Sequence, residues 1–186
     1  MDDLDLYTVK ITSRDIATEH KVHMPQQIAD EDYSDLIDIL YTARESDHIY
    51  MIMDNVGGDC RVGYQIAHAM KSSPATITVI VSYNCSSMAA VLALCGDSLI
   101  MHPGSTLMFH NYSAEHYGKG RELTTGVKEL NEQLKQLTKN FCSPFLTDAE
   151  INKLSKDEDI YVRAWDKNLK QRMDRHFTII ESDFTN

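Results

Sequence analysis

The sequence predicts an α/β fold, a parallel sheet with βαβ crossovers, and three observations carry that reading. Residues 49–53 and 76–81 are short, continuous apolar runs, the pattern of strands buried on both faces. The segments after them change to helical spacing, with Val62, Ile66, Ala69 and Met70 on one face and residues 87–95 apolar all round. The connections are near the shortest that parallel crossovers allow, and such crossovers are right-handed.

In chain order, residues 6–11 alternate as a strand does, with Tyr7, Val9 and Ile11 on one face. Residues 31–44 read as a helix because Tyr33, Leu36, Ile37, Leu40 and Tyr41 recur at helical spacing, with acids opposite. The strand at 49–53 ends in Asp54-Asn55-Val56-Gly57-Gly58, a turn signal. Pro74 stops the helix that follows, and the β-branched run at 76–81 is a second buried strand. Residues 87–95 then form a helix packed in the interior. A third strand is expected at 98–101, a turn at Pro103-Gly104, and a fourth strand at 106–109, ending at His110.

Leu123, Val127, Leu130, Leu134, Leu137 and Phe141 fall at alternating steps of four and three, a heptad stripe flanked by Lys, Glu and Gln. So narrow a stripe suits a helix that projects and packs against another subunit or a small neighbouring helix. The alternative is a core-facing helix of the same domain. Thr147-Asp148-Ala149-Glu150 is a capping box that opens a short helix through Leu154. The remainder is acidic and then mixed, with Tyr161 and Trp165 as expected anchors.

A chain of 186 residues suits one domain. With 42% apolar and 25% charged residues, the composition excludes disordered, collagenous and membrane-spanning classes. A net charge of −10 argues against a grip on a phosphate backbone, so no nucleic-acid partner is expected. The acidic opening Met1-Asp2-Asp3-Leu4-Asp5 is unlike a secretory signal, which makes a cytoplasmic location the expectation. The cysteines at 60, 85, 95 and 142 have no metal-ligand spacing, and no His-Glu-x-x-His occurs. Reduced thiols are expected, with no metal and no organic cofactor.

In a parallel sheet, ligands bind off the carboxyl ends of the strands, where helix N-termini point. Three features fall there. Ser87 occupies a strand-to-helix turn, where a hydroxyl gains the helix dipole, although a serine at a helix start is ordinarily a cap. Ser86 is an equally good cap, and Cys85 is a second nucleophile type at a position where burial is expected. Gly57-Gly58 lets backbone N–H groups approach a ligand as an oxyanion hole requires, or else makes a tight turn. His110 is placed to act as a base for a serine hydroxyl, or as a structurally bonded histidine. Asp148, Asp157, Asp159 and Asp166 each offer a carboxylate to orient it, and residue physics alone does not choose among them.

Over about 49–167 these residues resemble a ClpP-type serine peptidase, the proteolytic subunit of the Clp protease. The family's Asn-Ser-Pro-Gly-Gly corresponds to Asp54-Asn55-Val56-Gly57-Gly58. Its nucleophile turn, Ala-Ala-Ser-Met-Gly-Ala, corresponds to Cys85-Ser86-Ser87-Met88-Ala89-Ala90, which selects Ser87 over Ser86. Its Met-Ile-His-Gln-Pro corresponds to Met108-Phe109-His110-Asn111-Tyr112. The family's acid has an aromatic two residues later, as Asp159-Ile160-Tyr161 does, with Asp157 in reserve.

The resemblance implies a ClpP/crotonase-like fold and a single domain over 1–186, its head about 1–115 and 145–186 and its handle helix about 119–142. It implies a self-compartmentalising serine endopeptidase in which Ser87 attacks, His110 moves the proton and Asp159 holds the imidazole. The N–H groups of Gly57 and Met88 then form the oxyanion hole, and Tyr112, Ser113, Ala114 and Glu115 pair with an extended substrate. The implied partners are a polypeptide substrate, identical chains in stacked heptameric rings (a tetradecamer) and an AAA+ Clp ATPase.

Departures mark a divergent member. Val56 stands where the family has proline, Ala89 where it has glycine, and Asn111-Tyr112 where it has Gln-Pro. The family's Gly-Leu-Val-Asp is missing from residues 167–186, and its axial loop is not recognisable. Two other readings use the same residues. One is a catalytically weak scaffold subunit of a mixed ring, against which the intact Ser87, His110 and Asp159 set stands. The other is a crotonase-like acyl-CoA enzyme, which gives Ser87 no nucleophilic role.

Overall fold

The computed structural model describes residues 17–29, 33–113 and 117–182, with the backbone alone over 178–182. The strand expected at 6–11 lies outside them. The elements are β1 (Glu19–His23), α1 (Ser34–Thr42), β2 (His48–Asn55), α2 (Cys60–Ser72), β3 (Thr76–Ser86), α3 (Met88–Ala93), β4 (Ser98–Met101), β5 (Thr106–Phe109), α4 (Gly120–Cys142), α5 (Asp148–Leu154), β6 (Ile160–Arg163) and α6 (Leu169–Ser182). The strands form one sheet in the order β1-β2-β3-β5-β6, with β4 also paired to β3. Every pairing is parallel except that of β6 with β5. The fold is α/β with a parallel-dominated sheet, as the apolar runs predict, plus one antiparallel edge.

β4 and β5 match the expected strands residue for residue. β2 and β3 run further than their apolar runs, because polar side chains near the strand ends satisfy neighbouring backbone. Ser82 donates to the Met53 carbonyl at 3.0 Å, and the Asn84 N–H donates to Asp54 Oδ1 at 3.3 Å. The eleven residues of β3 serve two neighbours in turn. Residues 78–81 pair with β4 and residues 84–86 with β5, and the Pro103-Gly104 turn carries the chain between them.

The core lies against the sheet, and α3 is its most enclosed helix, with all six residues buried. Each large side chain enclosed in this way, such as Leu92, contributes roughly 1.5–3 kcal/mol. α1 buries Leu36 and Leu40 but leaves Tyr41 exposed. Tyr161 and Trp165 are not the anchors expected, being 49% and 62% exposed. Ile160 and Val162 take the inward positions of β6, so alternation turns Tyr161 to the other face. The turn at Trp165 is pinned by Asp166, whose Oδ2 accepts the Arg163 N–H at 2.9 Å.

α4 has 23 residues and is about 35 Å long. Only Phe141 and Cys142, at its C-terminal end, are buried. Leu123, Leu130, Leu134 and Leu137 are half-buried and Val127 is 41% exposed, so the heptad stripe is largely uncovered within this chain.

β1, β6 and α6 were not expected from the sequence. α6 docks through polar anchors. The Arg172 guanidinium meets Glu150 at 2.6 and 3.1 Å and the Phe145 carbonyl at 3.0 Å. Burial opposes ionisation of Glu150, but hydrogen bonds from Arg172 and Thr147 outweigh it and hold the carboxyl down at about 2. His176 Nε2 lies 2.8 Å from the Leu94 carbonyl, and burial lowers the pKa of that ring. Among the described residues no helix is long and apolar enough to cross a membrane, and no three metal-ligating side chains gather.

Candidate active site

β2, β3 and β5 are parallel neighbours, so their carboxyl ends share one edge. Asn55 pairs with Cys85, and Ser86 with Met108. The Gly57-Gly58 loop, Ser87 and His110 each follow one of these ends. The topology therefore brings together the three features that the sequence put at strand ends.

Ser87 is a one-residue turn between β3 and α3, at φ 57° and ψ −127°. A non-glycine residue there carries strain of roughly 1–3 kcal/mol. The backbone on both sides holds it, the Ser87 N–H on the Met108 carbonyl at 2.8 Å and the Ser87 carbonyl accepting from the Ala90 N–H at 3.0 Å. Its hydroxyl makes no capping bond. The ordinary role of a serine at a helix start is thus unfilled, and Ser87 lines a cavity of about 300 Å³ together with Met88 and His110. Tyr64, Val91, Leu134, Ile151 and Leu154 give that cavity an apolar floor, and Asn131, Lys135 and Ser155 add polar groups.

The rival nucleophiles are occupied. Ser86 is buried and its Oγ accepts from Asn84 Nδ2 at 2.9 Å. Burial pushes the Cys85 thiol up to about 12, which suppresses its reactive thiolate. Cys60, on the cavity wall, is raised as well, first by burial and then by Asp59.

The glycine loop is set by Asn55, which is fully buried. Its Nδ2 donates to the Pro25 carbonyl at 2.6 Å and its Oδ1 accepts the Gly57 N–H at 2.7 Å. Gly57, at φ 89°, approaches so closely that an added Cβ would lie 2.6 Å from the Ser86 carbonyl oxygen and 2.7 Å from Ser87 Cβ. Gly58, at φ 143°, packs on the Ile28 carbonyl, which a side chain would overlap. The Gly57 N–H is engaged, whereas those of Gly58 and Met88 have no hydrogen-bond partner among the described residues.

β5 and β6 pair as far as Phe109 and Ile160. His110 and Asp159 are the next residues of the two strands, each one step beyond that last pair. Asp159 is exposed and does not line the cavity. Among the described residues no hydrogen bond joins Ser87 to His110 or His110 to Asp159. The other carboxylates face elsewhere, Asp148 toward Lys139 at 3.5 Å, Asp166 to the Arg163 N–H, and Asp157 to Asn111 Nδ2 at 2.9 Å. Tyr112 lines the cavity and its hydroxyl donates to Asn131 Oδ1 at 2.9 Å, tying the segment after His110 to α4. Ser113 lies in the adjoining groove, and Ala114 and Glu115 fall outside the described residues.

Two contributors went unseen in the sequence. Asn55 reads in the sequence as part of the Asp54–Gly58 turn motif, and an asparagine beside paired glycines is a loop-fixing signal. Gly63 reads as an ordinary helix residue, yet the Met88 side chain fills the space its Cβ would occupy. That contact joins two segments and leaves no local mark.

An uncapped hydroxyl on a strained turn, an imidazole lining the same cavity and the unengaged Met88 amide are among the groups that acyl transfer through a serine requires. The chain matches the model of the Clp protease family over residues 5–167, and it belongs to that family. Helix α6 lies beyond the matched span. No curated protein gives a significant match.

Proposed function

We propose that the chain is a serine endopeptidase that cleaves polypeptides through Ser87, His110 and Asp159. Ser87 Oγ forms a bond to the peptide carbonyl carbon while its proton passes to His110. The C–N bond then breaks, and His110 returns that proton to the departing amine. Water, deprotonated by His110, releases the acid and regenerates Ser87. Asp159 holds the imidazole throughout. The Met88 N–H is one oxyanion donor. The expected second donor is Gly57, which makes the close approach to Ser87 and whose N–H is given to Asn55 Oδ1 here. No cofactor enters the reaction.

The stripe of α4 supports assembly of identical chains, in stacked rings as the family implies, with an AAA+ unfoldase supplying extended polypeptide in the cytoplasm. The observation that carries the proposal is the uncapped, strained Ser87 sharing a cavity with His110. One observation favours a second reading, a catalytically weak scaffold subunit, namely that no hydrogen bond joins the three side chains. Catalytic hydrogen bonds commonly tighten only with substrate bound. A fluorophosphonate probe separates the two. The peptidase is labelled and hydrolyses peptides, Ser87→Ala loses both while retaining its assembled mass, and the scaffold shows no Ser87-dependent labelling.

A further inference from the structure

The candidate base and acid both sit just past the end of a ladder. β5 and β6 make their last pair at Phe109 and Ile160, so His110 and Asp159 are the first residues without backbone pairing. Opposed strand ends fray, and a base needs its orienting carboxylate within a fraction of an ångström. Immediately beyond them, Asn111 Nδ2 donates to Asp157 Oδ1 at 2.9 Å and crosses the gap that the ladder leaves open. Both partners are held from their own sides. Asn111 Oδ1 accepts the Tyr112 N–H at 3.0 Å, which fixes which way the amide faces. Asp157 stands at φ 61°, a conformation that aspartate tolerates, and its N–H donates to the Leu154 carbonyl at 3.0 Å.

We infer that Asn111 and Asp157 form a clamp that keeps His110 and Asp159 in register, making both positioning residues and leaving Asp159 as the acid. This rests on the peptidase reading above. Asp157, an alternative acid by sequence, has its carboxylate turned to Asn111 instead. Asparagine is suited to the position, since it offers a donor to Asp157 and an acceptor to Tyr112 from one planar group.

The test uses the full-length assembled protein, with kcat and KM measured on a fluorogenic peptide. Asn111→Asp keeps the acceptor for Tyr112 but sets two carboxylates face to face. Asp157→Asn keeps an acceptor for Asn111. The double variant Asn111→Asp with Asp157→Asn rebuilds the bond in the opposite direction. The clamp predicts that Asn111→Asp lowers kcat about tenfold with KM held within about twofold, as misplacement of a catalytic pair does. The double variant recovers most of the loss. An unaffected Asn111→Asp overturns the clamp. So does a double variant as slow as the single one, because the harm is then the new charge beside His110. A wild type with no Ser87-dependent hydrolysis overturns both the clamp and the peptidase reading, whereas an active wild type with indifferent variants overturns the clamp alone.

Discussion

The edge of the sheet at Ser87 and the helix α4 handle apolar surface in opposite ways. At the edge, buried side chains are covered by the chain itself, glycine is required where backbones press together at Gly57 and Gly58, and the Met88 side chain fills the space beside Gly63. Along α4, a regular leucine stripe stays half-exposed for most of its length. The contrast teaches that the two regions differ in what covers their apolar surface. The first is covered within the chain, whereas the second leaves its stripe half-exposed there, which is what the proposed assembly would cover.

The largest expected effect lies at the edge. Gly58→Val drives a side chain into the Ile28 carbonyl and should destabilise the fold by about 3–5 kcal/mol, read as a steep fall in the denaturant midpoint. A midpoint near wild type would show that the loop yields, and the contrast would weaken. Next, the pair Leu130→Asp and Leu134→Asp should reduce the assembled mass by light scattering while costing the isolated chain no more than about 1 kcal/mol. If the mass is unchanged and the chain itself unfolds, the stripe belongs to the monomer core.

A smaller effect tests how firmly α6 belongs to the head. Glu150 has its pKa lowered from 4.5 to about 2 by Arg172 and Thr147, so its contribution is complete above 4.5 and disappears as pH falls through 2. Glu150→Gln should therefore be less stable than wild type at neutral pH. The difference should shrink across that acid window in urea denaturation measured at several pH values. A constant gap would separate α6 from this ion pair.

The legible parts of the fold share a physical trait. β4 and β5 are short apolar runs bounded by turn residues, and α4 has an uninterrupted period, so local pattern and final structure coincide. β1, Glu-His-Lys-Val-His, is an edge strand with no fully buried residue, and it left no apolar signature. α6 hides its inward face because Arg172 and His176, both buried, occupy it. At the site, Ser87, the glycine pair and His110 were readable because each follows a recognisable strand. The Asn111–Asp157 hydrogen bond and the Gly63 seat for Met88 join segments distant in sequence, and only the folded chain displays them.

The backbone twist at Ser87 has a consequence for how the protein ages in the test tube. Ala at this position keeps the β-carbon that the φ of 57° disfavours, whereas Gly removes it. A Ser87→Gly knockout should outlast a Ser87→Ala knockout on heating, by about 1 kcal/mol in unfolding free energy. If so, the sequence keeps at Ser87 a residue whose β-carbon makes the molecule less durable, a cost that the proposed nucleophilic hydroxyl would explain.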